Sequence, residues 1–279
     1  VMICHLRGGI PALNNTILGS LCTVLGYLAV SVFFFLSGYG LTISYRDKKE
    51  QYISEFGRNR LLSFYCICLF WIVLYIVFDF LRGIQITFKN VFQSVTFGNT
   101  VVINGWYLQT IFVLYILFFV CARMSKTLRG LNISVFIGLL FYICLCLVMN
   151  LSTTWYESVF SFGLGILIGT KGWRGQQKNY VAQTIFIFIS FAITLMLGNT
   201  TIIAIAGIRV ICKMISAILF VLIVLLLSEK ICIENVVTKY LGILSFEIYM
   251  IQGMVMSLFR GGVSTYSQML YIQYLVCVS

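Results

Sequence analysis

The stretch Val30–Lys49, VSVFFFLSGYGLTISYRDKK, decides the fold class of this chain. It runs from aromatic apolar residues through Ser37-Gly38-Tyr39-Gly40 into a dense cluster of charged residues. Together with the apolar residues before it, the stretch is long enough for the roughly 20 helical residues that cross the hydrocarbon core of a bilayer. The charges that follow lie where lipid headgroups and water accept them. The stretch therefore predicts a membrane-spanning helix that ends at a basic surface.

The composition of the whole chain agrees with a membrane protein. Of its 279 residues, 61% are hydrophobic and 10% are charged, whereas soluble domains carry about 25% charged residues. The chain therefore has too few charged side chains to cover a water-facing surface of its own. We interpret its net charge of +11 as basic loops beside anionic membrane lipids rather than as a nucleic-acid site.

Further apolar runs of spanning length follow along the chain, separated by short polar breaks. Only helices and closed barrels span a bilayer, and these runs are too long and too uniformly apolar for barrel strands. We predict an all-α, polytopic membrane helix bundle with about eight full transmembrane helices and partial helices at both termini. We expect one transmembrane domain over 1–279, as a fragment of a longer chain. The predicted helices cover 17–45, 61–81, 105–122, 131–149, 156–170, 181–198, 201–228 and 237–258.

The distribution of Lys and Arg predicts the orientation of the helices. Alternate loops at 46–60, 123–129, 171–178 and 229–239 carry 5, 3, 3 and 2 of these residues. The intervening loops carry only Arg7, Arg82, Lys89 and Arg260. Since basic loops face the cytoplasm, we expect 46–60 on the cytoplasmic side and His5 toward the outer face.

Two residues predicted near the outer face could carry chemistry. His5 is the only histidine and is either an interfacial structural residue or a general base or proton shuttle. Trp106 is either part of an aromatic belt at the interface or a surface that stacks on a sugar. The ten cysteines show no metal-ligand spacing, so we expect no metal site.

Two further candidate groups lie within the basic stretch 46–60 or in the apolar segment before it. Arg58 and Arg60 precede an apolar run and are either anchors that extend to the headgroups or a clamp for phosphate oxygens. Ser37 and Gly38 expose backbone inside an apolar segment. They fit either close helix packing or the wall of a groove for an acyl or pantetheine-like chain.

Charged residues within the predicted spans form a third candidate group. Arg209 and Lys213 are four residues apart and share a helix face. Such charges are costly in a membrane and face a partner or a cavity. Glu247 is the predicted counter-ion, while Asp79 and Glu157 are expected to be solvated. The group is either a structural ion network or the polar lining of an active cavity.

Short segments in order along the chain resemble the acyltransferase-3 family of integral membrane O-acyltransferases, which are mostly bacterial. His5 stands where that family has a histidine late in its first helix. The segments VFFFLSGYGLT and RNRLLSFY resemble the family patterns F-F-x-x-S-G-f and R-x-x-R-[IL]-x-P-x-Y. Weaker likenesses are found in NGWYLQTIFVLY, FSFGLGILIG and LSFEIYMIQ.

The chain also departs from the family pattern at several positions. The arginine that the family places upstream of its first-helix histidine would precede Val1. Arg60 aligns with the second arginine of the R-x-x-R pattern, whereas the first falls on Gly57. The family's proline is Ser63 here, and its late histidine is Gln252.

The resemblance implies transfer of an acyl group, usually acetyl, from cytosolic acetyl-CoA or another acyl-CoA to a hydroxyl of a glycan or similar acceptor. It implies that Arg58 and Arg60 bind the CoA phosphates, that Ser37 and Gly38 border the pantetheine arm, and that His5 takes the acceptor's proton. Polysaccharide O-acetylation in the cell envelope, at a bacterial inner membrane, is the expected setting. A transporter or flippase for a glycan or lipid-linked sugar is the alternative, and a non-catalytic sensor or scaffold is a second one.

Overall fold

The computed structural model describes residues 16–98, 100–173, 180–199, 206–231 and 235–260. Within these ranges every regular element is a helix, so the predicted all-α class is confirmed. The partial helices expected at the termini lie outside the described residues. The α-helices are α1 Ile17–Phe56, α2 Ser63–Leu81, α3 Phe88–Val95, α4 Trp106–Met124, α5 Leu128–Val148, α6 Phe160–Lys171, α7 Tyr180–Asn199, α8 Ala206–Ser228, α9 Val236–Ile243 and α10 Ser245–Arg260.

The apolar helices make this an integral membrane bundle. Five helical segments of the described chain are long and apolar enough to cross a membrane, or six if the bent pair α9 and α10 is one span. Each of the eight predicted runs contains a helix. The number of candidate spans is smaller than the predicted eight for two reasons. The first two runs join in the 63-residue segment Gly19–Leu81, and α6 has only 12 residues. The last run is bent by 67° between α9 and α10.

The stretch 46–60, predicted as a loop, is helical in the structure. α1 continues through the charged residues to Phe56, and a π-helical segment, Gly57–Leu62, connects it to α2. The sequence explains this, because Arg, Lys, Glu and Gln are good helix formers and no glycine or proline intervenes before Gly57. α1 is kinked at Lys49, whose backbone has φ 44° and ψ −119°.

The chain divides into two compact units. The first comprises Val1–Gly26, Ser63–Gln109 and Ile233–Ser279, and the second comprises Tyr27–Leu62 and Thr110–Cys232. The single domain expected from the sequence stays a prediction.

The first unit has an apolar core between α2, α10, the residues before α4 and the first turn of α4. The Tyr75 hydroxyl on α2 donates a hydrogen bond to the Met250 carbonyl oxygen on α10 at 2.9 Å. A Cβ added to Gly253 would lie 2.3 Å from the Tyr75 hydroxyl, so only glycine permits this approach. The buried residues of the core are Cys68, Trp71, Ile72, Tyr75, Val102, Leu108, Met250 and Met254.

In the second unit, α6 packs directly on the backbone of α1. A Cβ added to Gly38 would lie 2.3 Å from the Phe162 carbonyl oxygen. A Cβ added to Gly165 would lie 2.2 Å from the Phe35 carbonyl oxygen. Small residues permit such approaches between membrane helices, where close van der Waals packing drives association. The glycines therefore set the distance between α1 and α6.

We expect Gly38→Ala to destabilise the protein by about 1–3 kcal/mol, the usual cost of overpacking. The added methyl group meets a backbone oxygen of Phe162, which can move only if the two helices separate. The measurement is the midpoint of thermal unfolding in detergent, followed by circular dichroism.

Gly40→Ala is the matched control for this prediction, because Gly40 lies in the same helix and is exposed. No atom of the described residues lies within 4 Å of its would-be Cβ. Alanine is the better helix former by about 1 kcal/mol, so Gly40→Ala should leave the midpoint unchanged or raise it. Equal midpoints for the two variants would show that the α1–α6 contact is not tight.

Candidate functional site

The predicted donor-binding residues lie in the second unit, on α1 and the segment that follows it. Ser37 is half-buried and Gly38 is buried, both on α1. Arg58 and Arg60 are exposed in the π-helical segment. His5, the predicted catalytic residue, lies outside the described residues.

Two tyrosines interact electrostatically with Arg60, and one of them lies near Ser37. Tyr115 on α4 hydrogen-bonds with Ser37 and interacts electrostatically with Arg60 and with Tyr52. Tyr52 is 8% exposed, and its hydroxyl lies near both Arg60 and Ser44. We call Ser37, Tyr52, Arg60 and Tyr115 the Arg60 cluster. In this cluster the exposed Arg60 guanidinium lies near the Tyr52 hydroxyl and acts electrostatically on Tyr115, and Ser37 lies near the Tyr115 hydroxyl.

The other two predicted residues stand outside this cluster. Gly38 faces the Phe162 carbonyl oxygen so closely that no ligand fits between them, which favours the packing interpretation over the groove wall. The Arg58 Nε donates to the Asn59 side-chain oxygen at 3.5 Å. The structure thus links Ser37 and Arg60 through their interactions with Tyr115, and it adds two tyrosines that the sequence reasoning did not select.

The charged residues within the helices form a second polar group. The Lys213 Nζ lies 3.3 Å from the Glu157 carboxylate, and their side chains are 22% and 6% exposed. The same ammonium lies 5.6 Å from the centre of the Tyr27 ring. The expectation that Glu157 is solvated is therefore wrong, and the counter-ion of Lys213 is Glu157 instead of the predicted Glu247. Glu247 is exposed in the first turn of α10.

Hydrogen bonds extend this ion pair into a buried network around Tyr27. The Tyr27 hydroxyl hydrogen-bonds with the Ser216 hydroxyl at 2.9 Å and accepts from the Asn199 amide at 3.4 Å. The Ser158 hydroxyl donates to the Tyr27 carbonyl oxygen at 2.9 Å. We call Tyr27, Glu157, Ser158, Asn199, Lys213 and Ser216 the Tyr27 network. These polar side chains form hydrogen bonds and an ion pair with one another. This favours a structural ion network over the polar lining of an active cavity.

Two neighbours of the Tyr27 network complete its description. Arg209, one turn before Lys213 on α8, is half-buried. Tyr156 precedes Glu157 and is buried.

Trp106 lies in the first unit, at the start of α4. It is half-buried and packs edge to face against Tyr107, with ring centroids 6.3 Å apart. Tyr107 in turn contacts Tyr249, whose hydroxyl donates to the Asn104 carbonyl oxygen at 2.9 Å. This aromatic group accommodates either predicted role of Trp106, which stays a prediction.

One signal in the sequence could have identified Glu157. The predicted run 156–170 includes this carboxylate, and an intramembrane cation such as Lys213 needs an intramembrane partner. For Tyr52 and Tyr115 no such signal exists, because the chain has 16 tyrosines and nothing in the sequence distinguishes these two from the others. Their role depends on the distances between helices.

The fold and the sites define the class of protein: an integral membrane helix bundle with a guanidinium cluster at one surface and a buried ion pair. A family model described as an acyltransferase domain matches residues 1–278. The chain belongs to this acyltransferase-3 family, and its general activity is acyl transfer by a membrane protein. Comparison with curated proteins and with solved structures finds no match.

Proposed function

We propose that the protein transfers an acetyl or other short acyl group from cytosolic acyl-CoA to a hydroxyl of a glycan or similar acceptor, as an O-acyltransferase at or across the membrane. Family membership supports acyl transfer in general. The observation that carries the choice of donor is the Arg60 cluster, in which the exposed Arg60 lies near the Tyr52 hydroxyl and acts electrostatically on Tyr115, next to Ser37. Planar guanidinium groups bind phosphate oxygens in a bidentate manner, and CoA carries such phosphates.

Each residue has a role in the proposed reaction. Arg60, assisted by Arg58, binds phosphate oxygens of the donor, and Ser37 borders the entry of its pantetheine arm. His5 accepts the proton of the acceptor hydroxyl while that oxygen attacks the thioester carbonyl. The carbon–sulfur bond then breaks, and CoA leaves as a thiolate. No metal takes part in this proposal.

The proposed arrangement has a direction across the membrane. The positive-inside rule supports a cytoplasmic position for 46–60, and hence for Arg58 and Arg60, with His5 toward the outer face. The proposed location is the inner membrane of a bacterium, with a cell-envelope polysaccharide as acceptor.

We expect Arg60→Ala to raise KM for acetyl-CoA about 10- to 100-fold, the loss of one charge-assisted contact. The kcat value should change less, because a phosphate contact is made equally in the ground state and the transition state. The measurement is the transfer of radiolabelled acetyl from acetyl-CoA to glycan in membranes, over a range of donor concentrations.

Arg129→Ala is the control, since Arg129 is an exposed cation outside the Arg60 cluster; its KM should match the wild type. Arg60→Lys keeps the charge but not the planar fork, so its KM should lie between those of wild type and Arg60→Ala. An unchanged KM for Arg60→Ala would contradict the proposal that Arg60 binds the phosphates of the donor. If the wild-type protein labels no hydroxyl acceptor, the proposed transfer from acyl-CoA to a hydroxyl is contradicted.

A further inference from the structure

The second unit contains a cavity whose lining differs from the Arg60 cluster. Its volume is about 880 Å³, within the range of small-molecule sites. It lies between the end of α1 and the connection from α4 to α5. None of the four residues of the Arg60 cluster lines it.

The cavity is strongly basic. Arg46 and Lys49 from α1 and Arg123 and Lys126 from the α4–α5 connection line it, with Glu50 as its one acidic lining residue. The lining therefore carries a net charge of +3. Such a concave surface of one sign attracts anions, because its walls focus the electrostatic field.

Most of these cations have no protein counter-ion in the described part of the chain. Arg46 lies 3.9 Å from the Asp47 carboxylate and donates to the Gly169 carbonyl oxygen at 3.4 Å. Among the described residues, no carboxylate lies within 4 Å of a charged nitrogen of Lys49, Arg123 or Lys126. Three mutually repelling cations around one cavity are stabilised when an anion binds between them.

Two backbone features also favour a functional anion site at this cavity. The N-terminus of α5 lies at the cavity, since the lining includes Lys126, Thr127 and Leu128. A helix N-terminus attracts phosphate groups. The kink of α1 occurs at Lys49, a non-glycine residue with φ 44°. Strained backbone of this kind is concentrated at functional sites.

We propose that this cavity binds a phosphorylated ligand through two or more phosphate charges, held by Arg46, Lys49, Arg123 and Lys126. The ligand is either a soluble nucleotide-like molecule or the headgroup of an anionic lipid, which share this chemistry. The proposal goes beyond the acyl-transfer function, and it stands whether or not Arg60 binds the donor.

The test uses the full chain in nanodiscs of neutral phosphatidylcholine, with inorganic pyrophosphate as the probe in isothermal titration calorimetry. We expect saturable binding that Arg123→Gln/Lys126→Gln weakens about tenfold or more, because two charge-assisted contacts are lost. The control is Arg129→Gln/Lys171→Gln, which removes the same charge at two exposed positions outside the cavity and should bind as the wild type does.

Lys49→Gly gives a second variant that is expected to fold, since glycine adopts a positive φ without strain. It should weaken pyrophosphate binding while its unfolding midpoint stays equal or rises. Absence of pyrophosphate binding by the wild type, or equal weakening by the control pair, would overturn the proposal.

A parallel titration in nanodiscs that contain phosphatidylglycerol identifies the source of the ligand. Loss of pyrophosphate binding there supports a lipid headgroup as occupant, and unchanged binding supports a soluble phosphorylated molecule. Since the readout is binding and not turnover, the outcome is independent of the proposed acyl transfer.

Discussion

Replacing Glu157 by alanine is expected to destabilise the protein by about 3–5 kcal/mol, the usual cost of removing one partner of a buried ion pair. The Lys213 ammonium would remain largely buried without its counter-ion at 3.3 Å. Tyr27 would still contact the ammonium through its ring, but a cation–π contact replaces only part of the lost interaction. The measurement is the unfolding midpoint in detergent.

Two further variants make this prediction specific. Glu157→Gln/Lys213→Met removes both charges and should recover much of the stability lost in Glu157→Ala, because neither partner is left charged and buried. Glu247→Gln tests the counter-ion predicted from the sequence; since Glu247 is exposed, this variant should leave the midpoint unchanged. A larger loss from Glu247→Gln than from Glu157→Ala would contradict the observed pairing.

Replacing His5 by alanine is expected to lower kcat for acyl transfer by about 10²- to 10⁴-fold, the usual contribution of a general base. In the proposed reaction no other side chain accepts the proton of the acceptor hydroxyl. The wild-type rate should fall at acidic pH, where the imidazole becomes protonated, because only the neutral imidazole accepts a proton. The measurement is labelled acetyl transfer as a function of pH.

Cys4→Ala is the matched control for His5→Ala, because it changes the adjacent residue without removing a base. Cys4→Ala should keep the wild-type rate and the wild-type fall in rate at low pH, the acid limb of the pH–rate profile. The acid limb should be absent from the residual activity of His5→Ala. Retention of full activity by His5→Ala, at equal protein levels in the membrane, would exclude His5 as the base.

Much of the fold could be predicted because the bilayer imposes local requirements. An apolar run such as the one before Lys49 must form a helix, since lipid offers no partner for backbone N–H and C=O groups. The sequence did not predict where helices end in water. α1 continues past the charged residues to Phe56, because these residues favour helix as well as solvent.

The candidate site was predictable only in part. Arg60 and Ser37 were identifiable from residue type and position, and their shared interaction with Tyr115 required the structure. The basic cavity shows the same limit: Arg46 and Arg123 each occur in a predicted basic loop, yet nothing in the sequence places them around one cavity. The charge of a loop predicts the side of the membrane on which the loop lies, but not which other residues lie close to it.

The sequence by itself determined that this is a membrane helix bundle of the acyltransferase-3 family, because hydrophobic length and short motifs are properties of contiguous residues. Only the tertiary structure decided that Glu157 and not Glu247 neutralises Lys213, and that Gly38 contacts the backbone of Phe162. The physical reason is that ion pairs and close packing depend on the rotation and separation of helices. Glu157 and Lys213 are 56 residues apart, and no local pattern specifies which faces of two distant helices meet.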